Sequence, residues 1–486
     1  MLPALRDLSL LKNQAYAAGQ WTDAESGATL QVCDPADGAV IVTIPSLSAE
    51  EVSQAIIAGD TAMALWKNVP ASERSKILRR WHDLVVENTS DLAAIITAEQ
   101  GKPLAEARAE VAYGADYIAW FAGEAVRIDG EVLPAPSRDK RLLILKQPVG
   151  LCAAITPWNF PIAMVTRKVA PALAAGCAMV VKPAPQTPLS CLAIAELALR
   201  AGLPHGLFSV VTGEASVIGP VLSTHPLVRK LSFTGSTEVG KLLIAQSSRT
   251  VKKVTMELGG NAPFLVFEDA DLVAAVEGLM LTKFRASGQT CICANRVLVH
   301  KSIGEHFTSL LKAAVAALRV GPGTEDGITQ GPLIDRDALE KVEYLVGDAV
   351  AKGARVLLGG KPHPMGGTFY EPTILENCTP SMDLWHEEIF GPVIALFTFT
   401  TEVEAITLAN DTQVGLASYL YTRDMNRFWR IGEALEYGMV GVNTGAISNA
   451  TAPFGGVKES GYGREGSSHG IEDYLTLKYL CLGGLS

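Results

Sequence analysis

Residues 151–182 read LCAAITPWNFPIAMVTRKVAPALAAGCAMVVK and contain the pattern that decides the fold class. A short apolar run from Leu151 to Ile155 precedes a segment with apolar residues at helical spacing, Ala163 to Ala175. A second apolar run, Ala178 to Lys182, follows it. Short apolar strands separated by a helix are typical of parallel strands that are covered on both faces of a sheet. The stretch therefore predicts an α/β fold.

The alternation continues along the chain and predicts two α/β units. In the first unit, strands are predicted at Phe208 to Val211, Lys230 to Phe233 and Lys253 to Leu258, and helices at Pro188 to Ala201, Ser216 to Ser223 and Thr237 to Ser247. In the second unit, strands are predicted at Pro263 to Phe267, Arg296 to His300, Arg355 to Leu358, Pro392 to Phe399, Ser418 to Tyr421 and Met439 to Asn443. Such sheets bind ligands beyond the carboxyl ends of their strands. We therefore expect the functional residues there.

The segments that flank these units are of a different kind. Apolar residues at three- and four-residue spacing predict packing helices at Ala49 to Trp66, Ala71 to Asn88, Ser90 to Glu99 and Leu104 to Arg127. A short strand-rich segment, residues 21–44, precedes these helices. Residues 128–147 are predicted to form an extended hairpin, and residues 471–482 a terminal strand.

Length and composition exclude several classes of protein. A chain of 486 residues is too long for one ordinary core, and 48% apolar with 19% charged residues is typical of a soluble globular protein. No apolar run is long enough to span a membrane and residues 1–25 show no signal-peptide core, so we expect a cytoplasmic protein. A net charge of −10 argues against nucleic-acid binding. The eight cysteines form no Cys-x-x-Cys pair, so neither a disulfide framework nor a metal site is predicted.

A small polar loop, residues 284–295, holds two of the cysteines in the sequence FRASGQTCICAN. Cysteine is the side chain most easily made nucleophilic near neutral pH, and Gly288 allows backbone N–H groups to approach a bound substrate. Cys291 is therefore a candidate nucleophile. The alternative is that it is a small buried hydrophobe, as most isolated cysteines are.

A glycine loop, residues 233–242, has the sequence FTGSTEVGKL between a predicted strand and a predicted helix. A helix N-terminus at this place can hold a phosphate. Gly235, Gly240 and Lys241 match most of a P-loop, but Leu242 stands where that motif needs a hydroxyl for Mg²⁺. We therefore reject an NTPase. No Gly-x-Gly-x-x-Gly follows a predicted strand either, so the loop alone is a weak cofactor signal.

Three segments taken together resemble the aldehyde dehydrogenase superfamily. They are TPWNFP at residues 156–161, ELGGN at residues 257–261 and the cysteine loop at residues 284–295. Further matching segments are KPA at 182–184, FTGS at 233–236, EEIFGP at 387–392 and PFGGVKESG at 453–461. The likeness covers nearly the whole chain. Within the superfamily the sequence is most similar to bacterial succinate-semialdehyde dehydrogenases, including GIEDY at 470–474.

The resemblance implies a fold and an assembly. It implies an aldehyde dehydrogenase fold with a Rossmann-like cofactor domain, a second α/β catalytic domain and a small β oligomerisation element. The corresponding boundaries are 1–127 with 148–257 for the cofactor domain, 258–457 for the catalytic domain, and 128–147 with 470–486 for the oligomerisation strands. A homodimer or homotetramer is expected.

The resemblance also implies three catalytic roles. Cys291 attacks the aldehyde carbon, and the Asn159 amide and the Cys291 backbone N–H hold the oxyanion. Glu257 then activates the water that hydrolyses the thioester. The alternatives are that Glu257 is an exposed acid at a strand end and that Asn159 merely satisfies a turn.

The implied cofactor is NAD or NADP. The residues implied to bind it are Trp158, Lys182, Pro185, Gly235, Ser236, Glu388 and Phe390. Of these, Lys182 and Glu388 hydrogen-bond the two riboses, Ser236 contacts the pyrophosphate and Phe390 packs near the nicotinamide. In members restricted to NAD, a glutamate commonly stands three residues after the lysine. Pro185 stands there instead, so we expect NADP to be tolerated and even preferred.

The implied substrate is a short aldehyde with a carboxylate at its other end. Arg167, Arg285 and Ser448 match carboxylate-binding residues of succinate-semialdehyde dehydrogenases, and arginine suits a carboxylate because its planar fork donates paired hydrogen bonds. The alternative is that these arginines are solvated or pair with acidic neighbours. We expect oxidation of succinate semialdehyde to succinate. Glutarate-semialdehyde dehydrogenase, a broad-specificity or coenzyme A-dependent enzyme and a non-catalytic binding protein are the alternatives.

Cys293 is expected to have no catalytic role of its own. It could capture an oxidised Cys291 as a disulfide and give a reversible off-state. The alternative is a plain packing thiol.

Overall fold

The computed structural model describes residues 5–485 and contains two large sheets, a small antiparallel sheet and a helical layer. The strands are β1 (Ala15–Ala17), β2 (Gln20–Thr22), β3 (Thr29–Cys33), β4 (Val40–Pro45), β5 (Glu131–Leu133), β6 (Arg141–Pro148), β7 (Leu151–Ile155), β8 (Met179–Lys182), β9 (Phe208–Val210), β10 (Val228–Thr234), β11 (Lys253–Glu257), β12 (Ala262–Val266), β13 (Ala294–His300), β14 (Arg355–Leu358), β15 (Thr373–Glu376), β16 (Val393–Phe399), β17 (Val414–Gly415), β18 (Ala417–Tyr421), β19 (Met439–Val442), β20 (Val457–Lys458), β21 (Gly461–Tyr462) and β22 (Leu475–Leu482). The helices are α1 (Ala49–Trp66), α2 (Ala71–Glu87), α3 (Thr89–Gln100), α4 (Leu104–Glu124), α5 (Ala163–Ala175), α6 (Pro188–Arg200), α7 (Ala215–Thr224), α8 (Thr237–Ser247), α9 (Leu272–Phe284), α10 (Gly304–Ala316), α11 (Arg336–Ala351), α12 (Asp383–His386), α13 (Glu402–Asn410), α14 (Met425–Ala434) and α15 (His469–Glu472).

The first large sheet has the order β2-β1-β9-β8-β7-β10-β11-β21. Its five central strands, β9, β8, β7, β10 and β11, are parallel, while β1, β2 and β21 are antiparallel at the edges. Because parallel strands end at the same edge, Ile155, Lys182 and Phe233 lie side by side there. The predicted α/β fold is confirmed.

Helices cover both faces of this sheet and bury it. Every residue of α5 is buried, which explains why its sequence is apolar almost without interruption. Helix α1 begins with a capping box in which Ser48 and Glu51 satisfy each other's backbone N–H groups. The buried indoles of Trp66 and Trp81 donate to the carbonyls of Leu173 and Ile194, each at 3.0 Å, and so fix α1 and α2 onto α5 and α6.

The second large sheet has the order β14-β15-β16-β13-β12-β18-β19. All neighbours are parallel except the edge pair β14 and β15. The sequence did not predict β15 or the helices α10, α11, α13 and α14. The loop that holds Cys291, named the nucleophile loop after this candidate nucleophile, lies between α9 and β13. It is at the edge of this sheet that faces the first sheet.

The third sheet has the order β22-β6-β5 and is antiparallel. The predicted hairpin is present, but β5 is short, and the terminal strand begins at Leu475 because Ile471 lies in α15. Leu477 and Tyr479 are 65% and 59% exposed on its surface. The predicted domain boundaries stay a prediction, and their end points Met1 and Ser486 lie outside the described residues. Over residues 5–485, no helix is both long and apolar enough to cross a membrane.

Candidate active site

Cys291 is half-buried at the end of a turn with unusual backbone conformation. Ala286, Ser287 and Gly288 all have positive φ angles, of 49°, 59° and 78°. A side chain at position 288 would clash, because its Cβ would lie 2.2 Å from the Gly391 carbonyl oxygen. Burial raises the pKa of the Cys291 thiol to about 12, opposed by the charge of Arg167. The thiol is therefore protonated at neutral pH unless another group removes its proton.

Asn159 lies beside this turn in the loop between β7 and α5, and it is buried. Its Nδ2 donates to the Gln289 carbonyl at 2.9 Å, two residues before Cys291. An amide NH₂ group has a second hydrogen, so Nδ2 can donate to one further acceptor. The structure thus brings Asn159 to the nucleophile loop, where the sequence predicts it.

Glu257 is the last residue of β11 and is 1% exposed. Neither of its carboxylate oxygens has a hydrogen-bond partner within the described chain. Burial raises the pKa of Glu257 well above its ordinary value, and the negative charge of Glu465 adds to this, while Arg167 and Lys168 oppose it. An exposed acid at a strand end, the alternative for this residue, does not describe Glu257.

A cavity of about 360 Å³ lies between the two large sheets and reaches Cys291. The residues with a predicted cofactor role that line it are Trp158, Gly235, Ser236, Glu388 and Phe390. The rings of Trp158 and Phe390 meet edge to face with centroids 5.6 Å apart. Ser236 caps α8, and its hydroxyl accepts from the Val239 N–H at 3.4 Å. The N-terminus of α8, a site that favours anions, therefore lies at this cavity.

Lys182 ends β8 at the same sheet edge and is buried. Its Nζ donates to the Pro183 carbonyl at 3.3 Å, and burial lowers its pKa to about 8. Glu388 accepts from the Gly260 N–H at 3.3 Å, and burial raises its pKa to about 8. Pro185 is exposed and lines a separate cavity of about 620 Å³, so it does not border the cavity that reaches Cys291.

The three predicted substrate residues differ in their surroundings. Arg167 is buried, forms an ion pair with Glu465 and lies with its guanidinium 4.6 Å from the Phe454 ring centroid. The alternative interpretation of these arginines was that they pair with acidic neighbours. The structure shows this pairing for Arg167. Its Nη2 has no hydrogen-bond partner among residues 5–485.

Arg285 and Ser448 share a small pocket of about 80 Å³ with Thr290 and Ile292, the two neighbours of Cys291. The guanidinium of Arg285 lies 4.5 Å from the ring centroid of Phe160 and makes no ion pair in the described part of the chain. The Ser448 hydroxyl is hydrogen-bonded to the Tyr113 hydroxyl. The structure therefore brings Arg285 and Ser448 together beside the nucleophile.

Several site residues were not found from the sequence. Lys102, Tyr113 and Glu465 contact the proposed catalytic or substrate residues directly. Glu106, Glu110 and Lys168 contact residues next to them: Ala286, Ile162 and Glu465. A signal was present for three of them, because Glu106, Glu110 and Tyr113 are spaced to share one face of a helix. Glu465 gave no such signal, since its partner Lys168 is 297 residues away.

Cys293 is buried two residues after Cys291. Its Sγ lies 3.7 Å from the carbonyl oxygens of Lys283 and Ala294. Burial raises the pKa of the thiol, while Lys283 opposes this. A disulfide between the two cysteines stays a prediction.

Comparison with known proteins decides the family. The model of the aldehyde dehydrogenase family matches residues 21–480. The chain belongs to the aldehyde dehydrogenase family. A solved aldehyde dehydrogenase of this kind, the succinate-semialdehyde dehydrogenase from Burkholderia pseudomallei, superimposes with a TM-score of 0.98 at 57% identity, covering 99% of this chain and 100% of that one. The predicted family and its fold are both confirmed.

Aldehyde dehydrogenases similar to this chain differ in the substrates for which they are named. A 3-sulfolactaldehyde dehydrogenase of Pseudomonas putida is 59% identical, over 99% of this chain and 99% of its own length. A glutarate-semialdehyde dehydrogenase of Pseudomonas aeruginosa is 56% identical, over 99% and 100%. A succinate-semialdehyde dehydrogenase of Escherichia coli, whose name specifies NADP(+), is 54% identical, over 99% and 99%. The chain is thus an aldehyde dehydrogenase enzyme, and these three relatives are named for three different aldehydes.

Proposed function

We propose that this aldehyde dehydrogenase oxidises a short aldehyde that carries an anionic group at its other end, with succinate semialdehyde as the first candidate. One observation carries the proposal: Arg285, which has no ion-pair partner in the described chain, shares a pocket of about 80 Å³ with Ser448 beside Cys291. A guanidinium that makes no salt bridge and lines a small pocket favours a ligand with a negative charge, and the carboxylate of Glu106 is the nearest competing anion within the described chain. The product of the first candidate is succinate.

The residues in and beside the cavity of about 360 Å³ suit the parts of a nicotinamide dinucleotide. The N-terminus of α8 and Ser236 suit its pyrophosphate, and the buried ammonium of Lys182 suits ribose hydroxyls. Trp158 and Phe390 offer an apolar wall for the nicotinamide. A nicotinamide held there would supply the acceptor for the hydride that leaves the substrate carbon. Pro185 stands where members restricted to NAD commonly have a glutamate. No negative charge at that position therefore repels a 2′-phosphate, and we include NADP as well as NAD.

The chain's own residues perform the remaining chemistry. The Cys291 thiol, once deprotonated, forms a bond to the aldehyde carbon, and the carbonyl oxygen becomes an oxyanion. Nδ2 of Asn159 and the backbone N–H of Cys291 donate to that oxyanion. Removal of one such donor typically raises the barrier by about 3 to 4 kcal/mol. Loss of hydride leaves a thioester on Cys291.

Glu257 releases the product as a general base. It takes a proton from water, whose oxygen attacks the thioester carbon and expels the Cys291 thiolate. A base works only when it is deprotonated, and burial together with Glu465 raises the pKa of Glu257. Turnover therefore falls as the pH falls through this raised pKa. The presence of Glu257 argues against coenzyme A in place of water.

Glutarate semialdehyde is the second candidate. It is longer than succinate semialdehyde by one methylene, and a pocket usually discriminates such a pair by about 1 to 3 kcal/mol. A sulfonated aldehyde, the substrate class for which the P. putida relative is named, carries the same charge at the same end. All three substrates present an anion to Arg285 and Ser448.

We also propose that the chain forms a homodimer or homotetramer through its third sheet. Leu477 and Tyr479 of β22 are exposed apolar side chains on one face of the sheet, whereas Val132 of β5, which is also exposed, lies on the opposite face. Apolar side chains that project together from a sheet favour contact with a second copy.

The experiment that tests the substrate is a comparison of kcat/KM for succinate semialdehyde, glutarate semialdehyde, 3-sulfolactaldehyde and butyraldehyde, each with NADP and with NAD. We expect every anionic aldehyde to exceed butyraldehyde by at least about 30-fold, since a desolvated charge pair is typically worth about 2 to 5 kcal/mol. Equal values of kcat/KM for all four aldehydes would contradict the proposal that the substrate is anionic. Activity with NAD alone would remove NADP.

A further inference from the structure

A lysine and a glutamate form a buried ion pair behind the loop that carries Asn159. Lys102 and Glu110 are 2% and 1% exposed, and Nζ lies 2.5 Å from Oε2. Lys102 precedes α4, and Glu110 is in the second turn of that helix. Burial of two charges costs much of what their attraction returns, so the pair is weak evidence for stability alone. No step of the proposed reaction uses either residue.

Each partner binds a different part of the Asn159 loop. Nζ of Lys102 donates to the backbone carbonyl of Asn159 at 2.7 Å. Oε1 of Glu110 accepts from the N–H groups of Ile162 at 2.9 Å and Ala163 at 3.4 Å, at the start of α5. A carboxylate is favoured at a helix N-terminus. The pair therefore holds the loop on both sides of Phe160.

The ring of Phe160 extends this arrangement to the substrate pocket. Nζ of Lys102 lies 4.0 Å from its centroid, and the guanidinium carbon of Arg285 lies 4.5 Å from it. Cations at these distances are attracted to an aromatic ring. The same loop thus contacts both the buried pair and the proposed substrate arginine.

Asn159 is consequently held at both ends. Its side-chain Nδ2 donates to the Gln289 carbonyl, and its backbone carbonyl accepts from Lys102. Gln289 is fixed in turn, because its Nε2 donates to Ala286 O and its Oε1 accepts from Ile334 N–H, each at 2.9 Å. An oxyanion donor is effective only when it is aimed before the charge develops.

We propose that Lys102, paired with Glu110, is a positioning residue for the oxyanion donor: its ammonium holds the Asn159 carbonyl and so aims the Asn159 amide at the oxygen of the reacting aldehyde. This inference rests on the oxyanion role of Asn159 in the proposed function. Removal of the ammonium leaves the loop free to rotate. The rate of the steps with an oxyanion then falls, while KM for the cofactor stays unchanged.

The test is a mutant cycle between the buried pair and Asn159. Replacement of both charges, Lys102→Met with Glu110→Met, is the main variant, because exchange of a buried pair for apolar residues is often neutral or stabilising. Lys102→Met alone is the second variant. Butyraldehyde is the substrate, since it has no anion to report changes at Arg285. Thermal unfolding of each variant shows that it is folded.

We expect Asn159→Ala to lower kcat/KM by about 100- to 1000-fold, and the double-methionine variant to lower it by at least about 10-fold, as a misaligned donor does. In the Asn159→Ala background the double-methionine change is expected to have no further effect beyond about twofold, because the donor that it aims is gone. Effects that multiply, or an unchanged rate in the double-methionine variant, would overturn the positioning role.

Lys230→Met is the matched control. Lys230 is a buried lysine of β10 that hydrogen-bonds Thr255 and contacts neither Asn159 nor the nucleophile loop. Any loss of kcat/KM that Lys230→Met causes through folding is expected to multiply with the loss that Asn159→Ala causes. If Asn159→Ala itself kept full kcat/KM, the oxyanion assignment would fall, and the positioning role with it. A strong Asn159→Ala effect with independent methionine effects would remove the positioning role alone.

Discussion

Arg285 is the residue on which the proposed substrate depends. Arg285→Ala is expected to raise KM for succinate semialdehyde by about 30-fold or more, because loss of a partner in a desolvated charge pair typically costs about 2 to 5 kcal/mol. KM for butyraldehyde is expected to change little. Steady-state kinetics with both aldehydes measure the difference. Arg249, an exposed arginine after α8, gives the control Arg249→Ala, which should affect neither aldehyde.

An equal change for both aldehydes would show that Arg285→Ala disturbs the nucleophile loop rather than substrate recognition.

Arg167 differs from Arg285 in its surroundings. It is held by Glu465 and by the Phe454 ring, so its replacement removes a partner from a buried charge cluster as well as a potential ligand. The sequence analysis gave both arginines the same role, but only Arg167 has an ion-pair partner in the described chain.

At the scale of the element, one face of α4 forms a wall of the site. Glu106 binds the nucleophile turn, Glu110 binds the start of α5, and Tyr113 binds Ser448. Apolar periodicity predicted this helix, but it predicted a packing layer, because the spacing of polar residues does not show what lies opposite them. The helix was found from its own sequence, and its function depends on contacts with distant segments.

Glu106 supports a second prediction at this scale. Its Oε2 accepts from the Ala286 N–H at 2.7 Å, and Ala286 and Ser287 both have positive φ angles. Each such residue stores on the order of 1 kcal/mol or more of backbone strain. Glu106→Ala is expected to lower the free energy of unfolding by about 1.5 to 3 kcal/mol, the usual value for a hydrogen bond to a charged group. Chemical denaturation measures this loss, and kcat/KM should fall with it.

Ala286→Gly in the Glu106→Ala background is expected to recover part of kcat/KM, because glycine adopts positive φ without strain. The control is Glu73→Ala on α2, an exposed acid paired only with Lys76 at the surface. No recovery with glycine, together with an unchanged stability in Glu106→Ala, would show that Glu106 does not hold the turn.

Local pattern and long-range pairing mark what the sequence can and cannot predict. The bounds of α1, α5 and α8 were predicted to the residue, since each has caps or apolar spacing of its own. Cys291, Asn159 and Glu257 were predicted as catalytic residues from ordered motifs, and their roles stay a prediction. The structure brings Cys291 and Asn159 to one cavity. The counter-ions were missed, because the pairing of Arg167 and Lys168 with Glu465 exists only after the chain folds.

At the scale of the whole molecule, the third sheet supports a prediction about assembly. Leu477→Asp is expected to convert the native oligomer into a smaller species, because the substitution places a charge where an apolar side chain would be buried between copies. Analytical ultracentrifugation measures the mass. Val251→Asp is the control, since Val251 is also an exposed apolar residue but lies outside this sheet. A monomeric native chain, or an unchanged mass for Leu477→Asp, would contradict the proposal.

The last strand of the first large sheet has a consequence for biosynthesis. Gly461 of β21 is the neighbour of Glu257 in β11, and Glu465 follows a few residues later. The ribosome must therefore release nearly the whole chain before Glu257 gains its strand neighbour and Arg167 its counter-ion. A nascent chain that includes Cys291 but ends before Gly461 lacks the strand that pairs with β11. The proposed nucleophile, Cys291, is thus made well before the proposed general base, Glu257, gains its strand neighbour.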